Sequence, residues 1–242
     1  MAIISRMRED VQTVFQHDPA ARSALEIVLA YPGVHAIWMH RVAHWLWRYD
    51  LKLIARLTSE LSRFITGIEI HPGAAIGRRF FIDHGMGVVI GETTEIGDDV
   101  LIYQGVTLGG TSLKKEKRHP TIEDQVMVSA GASVIGPVRI GRGSKIGAGA
   151  VVVSSSPPNS TIVGIPGKVI EGDSTRQDIA LQDHARLPDP VAKAMGSLAD
   201  KLNQLGVRID ELVDRQNCLE DKLLPVEPHA NGVVKGGGGQ AA

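Results

Sequence analysis

The chain has 242 residues, of which 43% are hydrophobic and 22% are charged, and its formal net charge at pH 7 is −1. This is the composition of a globular protein with one sizeable core, and the near-neutral charge argues against general nucleic-acid binding, which needs a basic surface. The single cysteine, Cys218, excludes an intrachain disulfide, the N-terminus has no apolar signal-peptide region, and no apolar run approaches the ~20 residues of a membrane span. We therefore expect a cytoplasmic protein that binds neither membranes nor nucleic acids.

Residues 1–67 have helical patterning. Asp18-Pro19 predicts the start of a helix, with Asp18 as its N-cap and proline in the first turn. Two further helical stretches follow at residues 35–49, which contain all three tryptophans, and 51–65, which Gly67 ends. We expect a small N-terminal helical region whose tryptophans form a packed core.

From Ile70 onward an aliphatic residue recurs every six positions, with one two-residue slip and one interruption. The thirteen members are Ile70, Ile76, Ile82, Ile90, Ile96, Ile102, Leu108, Ile122, Val128, Val134, Ile140, Ile146 and Val152. A period of six is a multiple of two and not of 3.6, so each hexad is predicted to be a short strand. Glycine often follows the aliphatic residue and supplies the corners. Residues 68–170 are therefore predicted to form a solenoid of stacked coils.

Three other segments break the repeat. Residues 109–121 lack hexad aliphatics, carry four basic residues and are predicted to leave the coil as a loop. The Ser- and Pro-rich residues 154–167 are predicted to end the coil. Residues 171–242 form a predicted C-terminal tail, with an amphipathic helix at 190–224, which Gly206 weakens, and a disordered glycine-rich end from Gly236.

Two kinds of chemistry are considered for the histidines. Glu69 and His84 are separated in sequence by somewhat less than one coil of three hexads, which allows neighbouring coils to bring them together. A carboxylate that binds one imidazole nitrogen leaves the other free as a general base, although such a pair on generic grounds is more often a purely structural contact. A zinc site of the kind found in γ-class carbonic anhydrases needs three histidines, and His84 and His119 have no third partner at the required spacing, so we expect no metal.

The hexads, the run DHGMGVVIGETTEIGDDVLIYQGVTLGGT (83–111), RHP (118–120) and the upstream HDPAAR (17–22) and HAIWMHRVAHWLW (35–47) resemble the serine O-acetyltransferase family. The resemblance covers roughly residues 10–170. It implies an all-β solenoid with helical additions, a left-handed parallel β-helix, and transfer of acetyl from acetyl-CoA to L-serine, the first step of cysteine biosynthesis. Handedness comes from the resemblance and not from the spacing.

The resemblance also implies roles for individual residues. His84 is the expected general base and Glu69 the carboxylate that orients it, at a position where many family members have aspartate. Serine binding is expected of four residues: Asp18 and Asp83 at its ammonium group, and Arg118 and His119 at its carboxylate.

Further expectations concern acetyl-CoA, the co-substrate; no permanently bound cofactor is expected. The backbone at Gly110 and Thr111 offers N–H groups to the oxyanion and the pantetheine arm. Ala130 and Ala148 match coil-edge positions where related enzymes lay CoA, and Lys168 is placed to reach a CoA phosphate. The reaction is expected to be direct transfer in a ternary complex, because no Cys or Ser is paired with a base.

The resemblance implies a homotrimer with sites between subunits, and only about 67 residues precede the repeats, which favours a trimer over a hexamer. Family members bind O-acetylserine sulfhydrylase through a C-terminal isoleucine; this chain ends Gly-Gln-Ala-Ala, so we do not expect that complex. Three alternatives stay open: a hexapeptide acyltransferase for a sugar or another amino acid, the zinc hydratase, and a non-catalytic trimeric scaffold.

Overall fold

A computed structural model describes residues 2–170 and 190–223. The chain divides into two compact units, residues 1–190 and 191–242. Among the described residues, the first unit contains four helices and fifteen short strands, and the second contains most of one further helix.

The N-terminal region is helical, as predicted: α1 (Ala2–His17), α2 (Ala24–Ala30), α3 (Pro32–Arg48) and α4 (Lys52–Thr66). Gly67 ends α4 in the left-handed conformation with φ +72°. The predicted helix start at Asp18 is wrong, because Asp18 follows the end of α1 and α2 begins only at Ala24. Ser23 is the N-cap of α2, and its hydroxyl accepts the N–H of Glu26 in the Ser-x-x-Glu arrangement that favours a helix start.

The tryptophans do not form the packed core that the sequence predicted. Trp38 packs between α1 and the solenoid and donates to the Asp10 carboxylate at 2.9 Å, whereas Trp45 is 56% exposed. The helices nevertheless share a core with the coils, because Ala36 and Ile37 of α3 pack among the aliphatic residues of the solenoid.

The strands form three sheets that run along the solenoid. Sheet A contains β1 (Glu69–Ile70), β4 (Val89–Ile90), β7 (Thr107–Gly109), β10 (Ser133–Ile135) and β13 (Val151–Val152). Sheet B contains β2 (Ala75–Ile76), β5 (Glu95–Ile96), β8 (Thr121–Ile122) and β11 (Arg139–Ile140). Sheet C contains β3 (Phe81–Ile82), β6 (Leu101–Ile102), β9 (Met127–Val128), β12 (Lys145–Ile146), β14 (Thr161–Val163) and β15 (Lys168–Ile170). The pairings among these strands are parallel except that of β14 with β15.

The hexad aliphatics form the core, as the period predicted. Each is the inward residue of its strand, and twelve of the thirteen are buried, with Ile76 partly buried. Successive coils pair Val89 with Thr107 and Ser133 with Val151, so one regular coil consists of three hexads. Each coil therefore turns three corners, named here the A–B, B–C and C–A corners after the sheets they join.

Two coils are longer than three hexads. The first pairs Glu69 with Val89, which accounts for the two-residue slip in the repeat, and the third pairs Thr107 with Ser133 because residues 109–121 leave the A–B corner as a loop. The last parallel strand of the coil, β14, lies within 154–167, and β15 returns antiparallel to it, so the coil ends in the predicted segment but one strand after its Pro pair.

In the second unit, α5 (Pro190–Leu223) confirms the predicted C-terminal helix and runs through Gly206. Its apolar side chains are exposed; Leu198, for example, is 59% exposed. The predicted disordered end from Gly236 lies outside the described residues. None of the helices within residues 2–170 and 190–223 is both long and apolar enough to cross a membrane.

Candidate active site

His84 and Asp83 lie at the C–A corner, immediately after β3. His84 adopts a left-handed backbone conformation with φ +60°, and its side chain is 74% exposed. The Nε2 atom of its imidazole is 4.0 Å from the Oδ1 atom of Asp83, so the two groups are neighbours without a hydrogen bond between these atoms. The imidazole is presented to solvent, as a base for an external substrate must be.

Asp18 is held rigidly after the end of α1. Its carboxylate accepts the N–H of Ala20 at 2.7 Å and the hydroxyl of Tyr31 at 2.6 Å. The hydrogen bond to Asp18, with burial second, raises the pKa of Tyr31 to about 12, so the tyrosine stays a proton donor at neutral pH. Asp83 contributes to the same shift, which places Asp18, Tyr31 and Asp83 in one acidic neighbourhood.

The C–A corner continues along the solenoid as a column of equivalent positions. The register of sheet C aligns His84 with Gln104, Ala130 and Ala148 in successive coils. Backbone bonds link the column, from the N–H of Gly131 to the carbonyl of Gln104 and from the N–H of Gly149 to the carbonyl of Ala130, each at 2.9 Å. After His84 and Gln104 the column consists of Ala130 and Ala148, whose small side chains leave a shallow groove for an extended ligand. Lys168 is exposed in β15, the edge strand of sheet C.

A second cluster lies at the A–B corner, where residues 109–121 leave the coil. Arg118 donates a hydrogen bond to Glu92, and this bond is the main reason that the pKa of Glu92 lies below its usual range. His119 is 8% exposed, and burial, followed by the positive charge of Arg118, lowers the pKa of its imidazole. The cluster therefore holds a fixed guanidinium and a neutral imidazole.

Gly110 and Thr111 lie at the root of the same loop. A Cβ atom placed on Gly110 would lie 3.0 Å from Nε2 of His119, so the Gly110 backbone borders that nitrogen. Thr111 is exposed. Gly110 therefore stands beside Arg118 and His119, at the A–B corner, and not beside His84. The Oγ1 atom of Thr111 would lie 3.4 Å from a Cβ atom placed on Gly136, at the same corner of the next coil.

Glu69 is bound to a different partner from the one predicted. Its carboxylate accepts a hydrogen bond from Arg63 at 3.1 Å. No hydrogen bond joins it to His84 within residues 2–170. The pairing of Glu69 with His84 thus stays a prediction, and the arginine is a competitor that the sequence did not reveal.

The predicted site residues consequently form two groups in one chain. Asp18, Asp83 and His84 lie toward the C–A corner, while Arg118 and His119 lie at the A–B corner, and sheet A separates the two. In the part of the chain that the structure describes, no group of three or more His, Cys, Asp or Glu residues is arranged to hold a metal ion.

Sequence reasoning missed four residues that contact the predicted ones: Tyr31, Arg63, Glu92 and Thr93. Glu92 and Thr93 belong to the Gly-Glu-Thr motif that was quoted for the resemblance but given no role. Nothing in the local sequence around Tyr31 marks it, because its contact with Asp18 depends on how α2 and α3 fold back.

Comparison with known proteins identifies the family. Residues 119–154 match the bacterial transferase hexapeptide (six repeats) family model. The serine acetyltransferase of Bacillus subtilis is 55% identical over 87% of this chain and 97% of its own length. A crystal structure of Neisseria gonorrhoeae serine acetyltransferase matches with a TM-score of 0.68 and 39% identity over 70% of this chain, which spans 65% of that chain.

A structure of the Brucella abortus serine acetyltransferase in complex with coenzyme A matches with a TM-score of 0.67 and 42% identity, over 69% of this chain and 67% of that one. These likenesses support the left-handed β-helix of hexapeptide-repeat acyltransferases for the three-sheet solenoid. The chain belongs to the serine acetyltransferase family.

Proposed function

We propose that this chain transfers the acetyl group of acetyl-CoA to the hydroxyl of L-serine, with His84 as the general base. The product is O-acetyl-L-serine, and the reaction opens cysteine biosynthesis. The observation that carries the proposal is the exposed imidazole of His84. It lies near the carboxylates of Asp18 and Asp83 and at one end of the column that continues to Ala130 and Ala148. Relatives have been crystallised in complex with serine and with coenzyme A, which supports these two substrates.

Each step of the proposed reaction balances without a covalent enzyme intermediate. The imidazole of His84 takes the proton from the serine hydroxyl, and the oxygen attacks the carbonyl carbon of the thioester. The tetrahedral intermediate collapses with cleavage of the C–S bond, and the imidazolium returns its proton to the departing thiolate. Bringing both reactants together in a ternary complex removes much of the entropic barrier.

Serine is a zwitterion, and the two clusters supply the matching charges. The carboxylates of Asp18 and Asp83 bind its ammonium group, and Arg118 and His119 bind its carboxylate, with a charge-assisted bond from the guanidinium. CoA lies along the column with Ala130 and Ala148, Lys168 binds a CoA phosphate, and the backbone at Gly110 and Thr111 stabilises the oxyanion. No permanently bound cofactor takes part.

Glu69 orients His84 in this proposal once it is released from Arg63. The Arg63 side chain is 53% exposed and that of Glu69 30% exposed. An exposed ion pair contributes at most about 1 kcal/mol to stability, so Glu69 needs little free energy to leave Arg63. It binds His84 instead when the substrate orders the imidazole.

A homotrimer explains how two separated clusters serve one small substrate. Serine cannot reach both corners of a single solenoid, because sheet A lies between them. We place the C–A corner of one subunit against the A–B corner of its neighbour, so that each of three equivalent interfaces forms one site. The single cysteine of the sequence supports a reducing compartment, the cytoplasm.

The test is thiol release from acetyl-CoA with serine as acceptor, for the wild type and His84→Ala. We expect kcat to fall by about 10²–10⁴, the usual contribution of a general base, with the KM for acetyl-CoA little changed. His35→Ala is the matched control, since the His35 ring bonds a backbone carbonyl, that of Val28, and has no role in the proposed reaction. An active His84→Ala variant, or thiol release that does not depend on serine, would contradict the proposal and favour the scaffold or another acceptor.

A further inference from the structure

Thr93 joins the Gly-Glu-Thr turn to the end of the 109–121 loop by an unusual number of hydrogen bonds. Its Oγ1 atom accepts the backbone N–H groups of Arg118 and His119, each at 3.1 Å. Its carbonyl oxygen accepts a bond from Nζ of Lys117 at 2.6 Å. One threonine therefore fixes the backbone of both residues that are proposed to bind the serine carboxylate.

The same threonine determines where the proton of His119 lies. The backbone N–H of Thr93 donates to Nδ1 of His119 at 3.2 Å, and Oγ1 of Thr93 is 2.9 Å from the same nitrogen. An N–H group can only donate, so Nδ1 carries a lone pair and no proton. Because Oγ1 already accepts two N–H groups, its own hydrogen is left to point at Nδ1.

A neutral imidazole has one N–H group, and with Nδ1 acting as acceptor that group is Nε2–H. The Nε2 atom borders Gly110 at the loop root, next to the position proposed for the substrate. A carboxylate only accepts hydrogen bonds, so it is bound by Nε2–H and repelled by a bare Nε2 lone pair.

We propose that Thr93 is a positioning residue that holds His119 as the Nε2–H tautomer and so makes it a hydrogen-bond donor to the carboxylate of the amino-acid substrate. The first half, the tautomer, is independent of catalysis. The second half rests on the proposed function, in which His119 binds serine.

The chain offers a matched control in the next residue. The Oγ1 atom of Thr94 is buried and has no hydrogen-bond partner in the described part of the chain, and Thr94 is 1% exposed. Thr93→Val and Thr94→Val thus make the same change of hydroxyl to methyl, and only the first removes hydrogen bonds. Thr93→Ser restores the hydroxyl.

The tautomer is measured by two-bond ¹H–¹⁵N correlation of the full-length protein labelled at histidine, with His119 assigned by its loss in His119→Gln. We expect the wild type, Thr94→Val and Thr93→Ser to give the Nε2–H pattern at His119. Thr93→Val keeps the backbone N–H that donates to Nδ1 but loses the Oγ1 contact with Nδ1 and the Oγ1 bond that holds the His119 backbone, so a mixture of the Nε2–H and Nδ1–H patterns is expected. The serine KM should rise about tenfold in Thr93→Val, while kcat and the KM for acetyl-CoA stay within about twofold, because one charge-assisted contact is weakened.

Several results would overturn the proposal. An Nδ1–H pattern in the wild type refutes the tautomer assignment even if Thr93→Val does not fold. Equal effects of Thr93→Val and Thr94→Val would show a general packing response. A changed tautomer with an unchanged serine KM would refute the link to substrate binding, and it would separate that failure from the role of His84, which the acetyl-transfer assay tests independently.

Discussion

Gly91→Ala tests whether the position of His119 governs serine binding. Gly91 precedes Glu92 in the turn after β4, and a Cβ atom placed there would lie 2.0 Å from Cδ2 and 2.1 Å from Nε2 of His119. Ordinary van der Waals contact begins at 3.4 Å, so the ring has to retreat until its separation from the new methyl group grows from 2.0 Å to 3.4 Å. The obstacle is the ring itself, because the backbone of Gly91 is not in the left-handed region.

A shift of this size breaks the contacts of Nδ1 with Thr93 at 2.9 and 3.2 Å. Misplacement of a binding group by about 1 Å reduces the rate about 10²-fold, and overpacking costs about 1–3 kcal/mol of stability. We therefore expect kcat/KM for serine to fall about 10²-fold, with the KM for acetyl-CoA nearly constant, in an initial-rate assay at saturating acetyl-CoA.

Gly141→Ala is the control for stability alone. Its Cβ atom would lie 2.4 Å from the backbone of Pro158, at the B–C corner and away from both clusters. We expect a lower melting temperature and an unchanged serine KM. If Gly91→Ala keeps kcat/KM for serine close to that of the wild type while folded, the assignment of His119 to the substrate carboxylate is refuted.

Two further predictions concern charged and titratable groups. Glu92→Ala removes the carboxylate that orients Arg118 and should raise the serine KM about tenfold, as expected for one hydrogen bond to a charged group. It should add no further effect in an Arg118→Ala background, and additive effects there would contradict a role through Arg118. His40 is 5% exposed, and burial, followed by the charge of His44, lowers its pKa to about 3, so the folded protein holds it neutral. Below about pH 6.5 the unfolded chain takes up a proton that the folded chain does not, and this group lowers the free energy of unfolding by about 1.4 kcal/mol per pH unit. His71, whose pKa burial lowers to about 4, contributes to the slope in the same range, so urea titrations between pH 7 and 5 should show a steeper slope in the wild type than in His40→Gln; equal slopes would refute the neutral buried imidazole.

The solenoid could be predicted from the sequence because its cause is local and repeated. Each hexad places one aliphatic residue inward, and a single partly exposed member such as Ile76 does not disturb the pattern. The loop at 109–121 was equally clear, since its residues break the same rule. The start of α2 could not be predicted in the same way, because Asp18-Pro19 and Ser23-x-x-Glu26 are both acceptable helix starts. The tertiary contact of Asp18 with Tyr31 decides between them.

The candidate site was predicted as a set of residues but not as an arrangement. Ala130 and Ala148 are one regular coil apart, so their shared corner could be inferred, whereas the place of His84 in the same column depends on two coils of irregular length. The pairs of Glu69 with Arg63 and of Arg118 with Glu92 could not, because each joins elements whose relative placement depends on packing. The separation of the two clusters by sheet A likewise depends on which corner each residue occupies.

The central claim is that one active site combines His84 of one subunit with Arg118 of its neighbour. The direct test mixes two inactive variants, His84→Ala and Arg118→Ala, by co-expression in equal amounts and measures serine-dependent thiol release per trimer. With random assembly about one quarter of the interfaces pair an intact His84 with an intact Arg118, so about one quarter of wild-type activity should return. If both groups acted within one chain, no mixed trimer would hold an intact site, and activity that stays at the level of the separate variants would contradict the account.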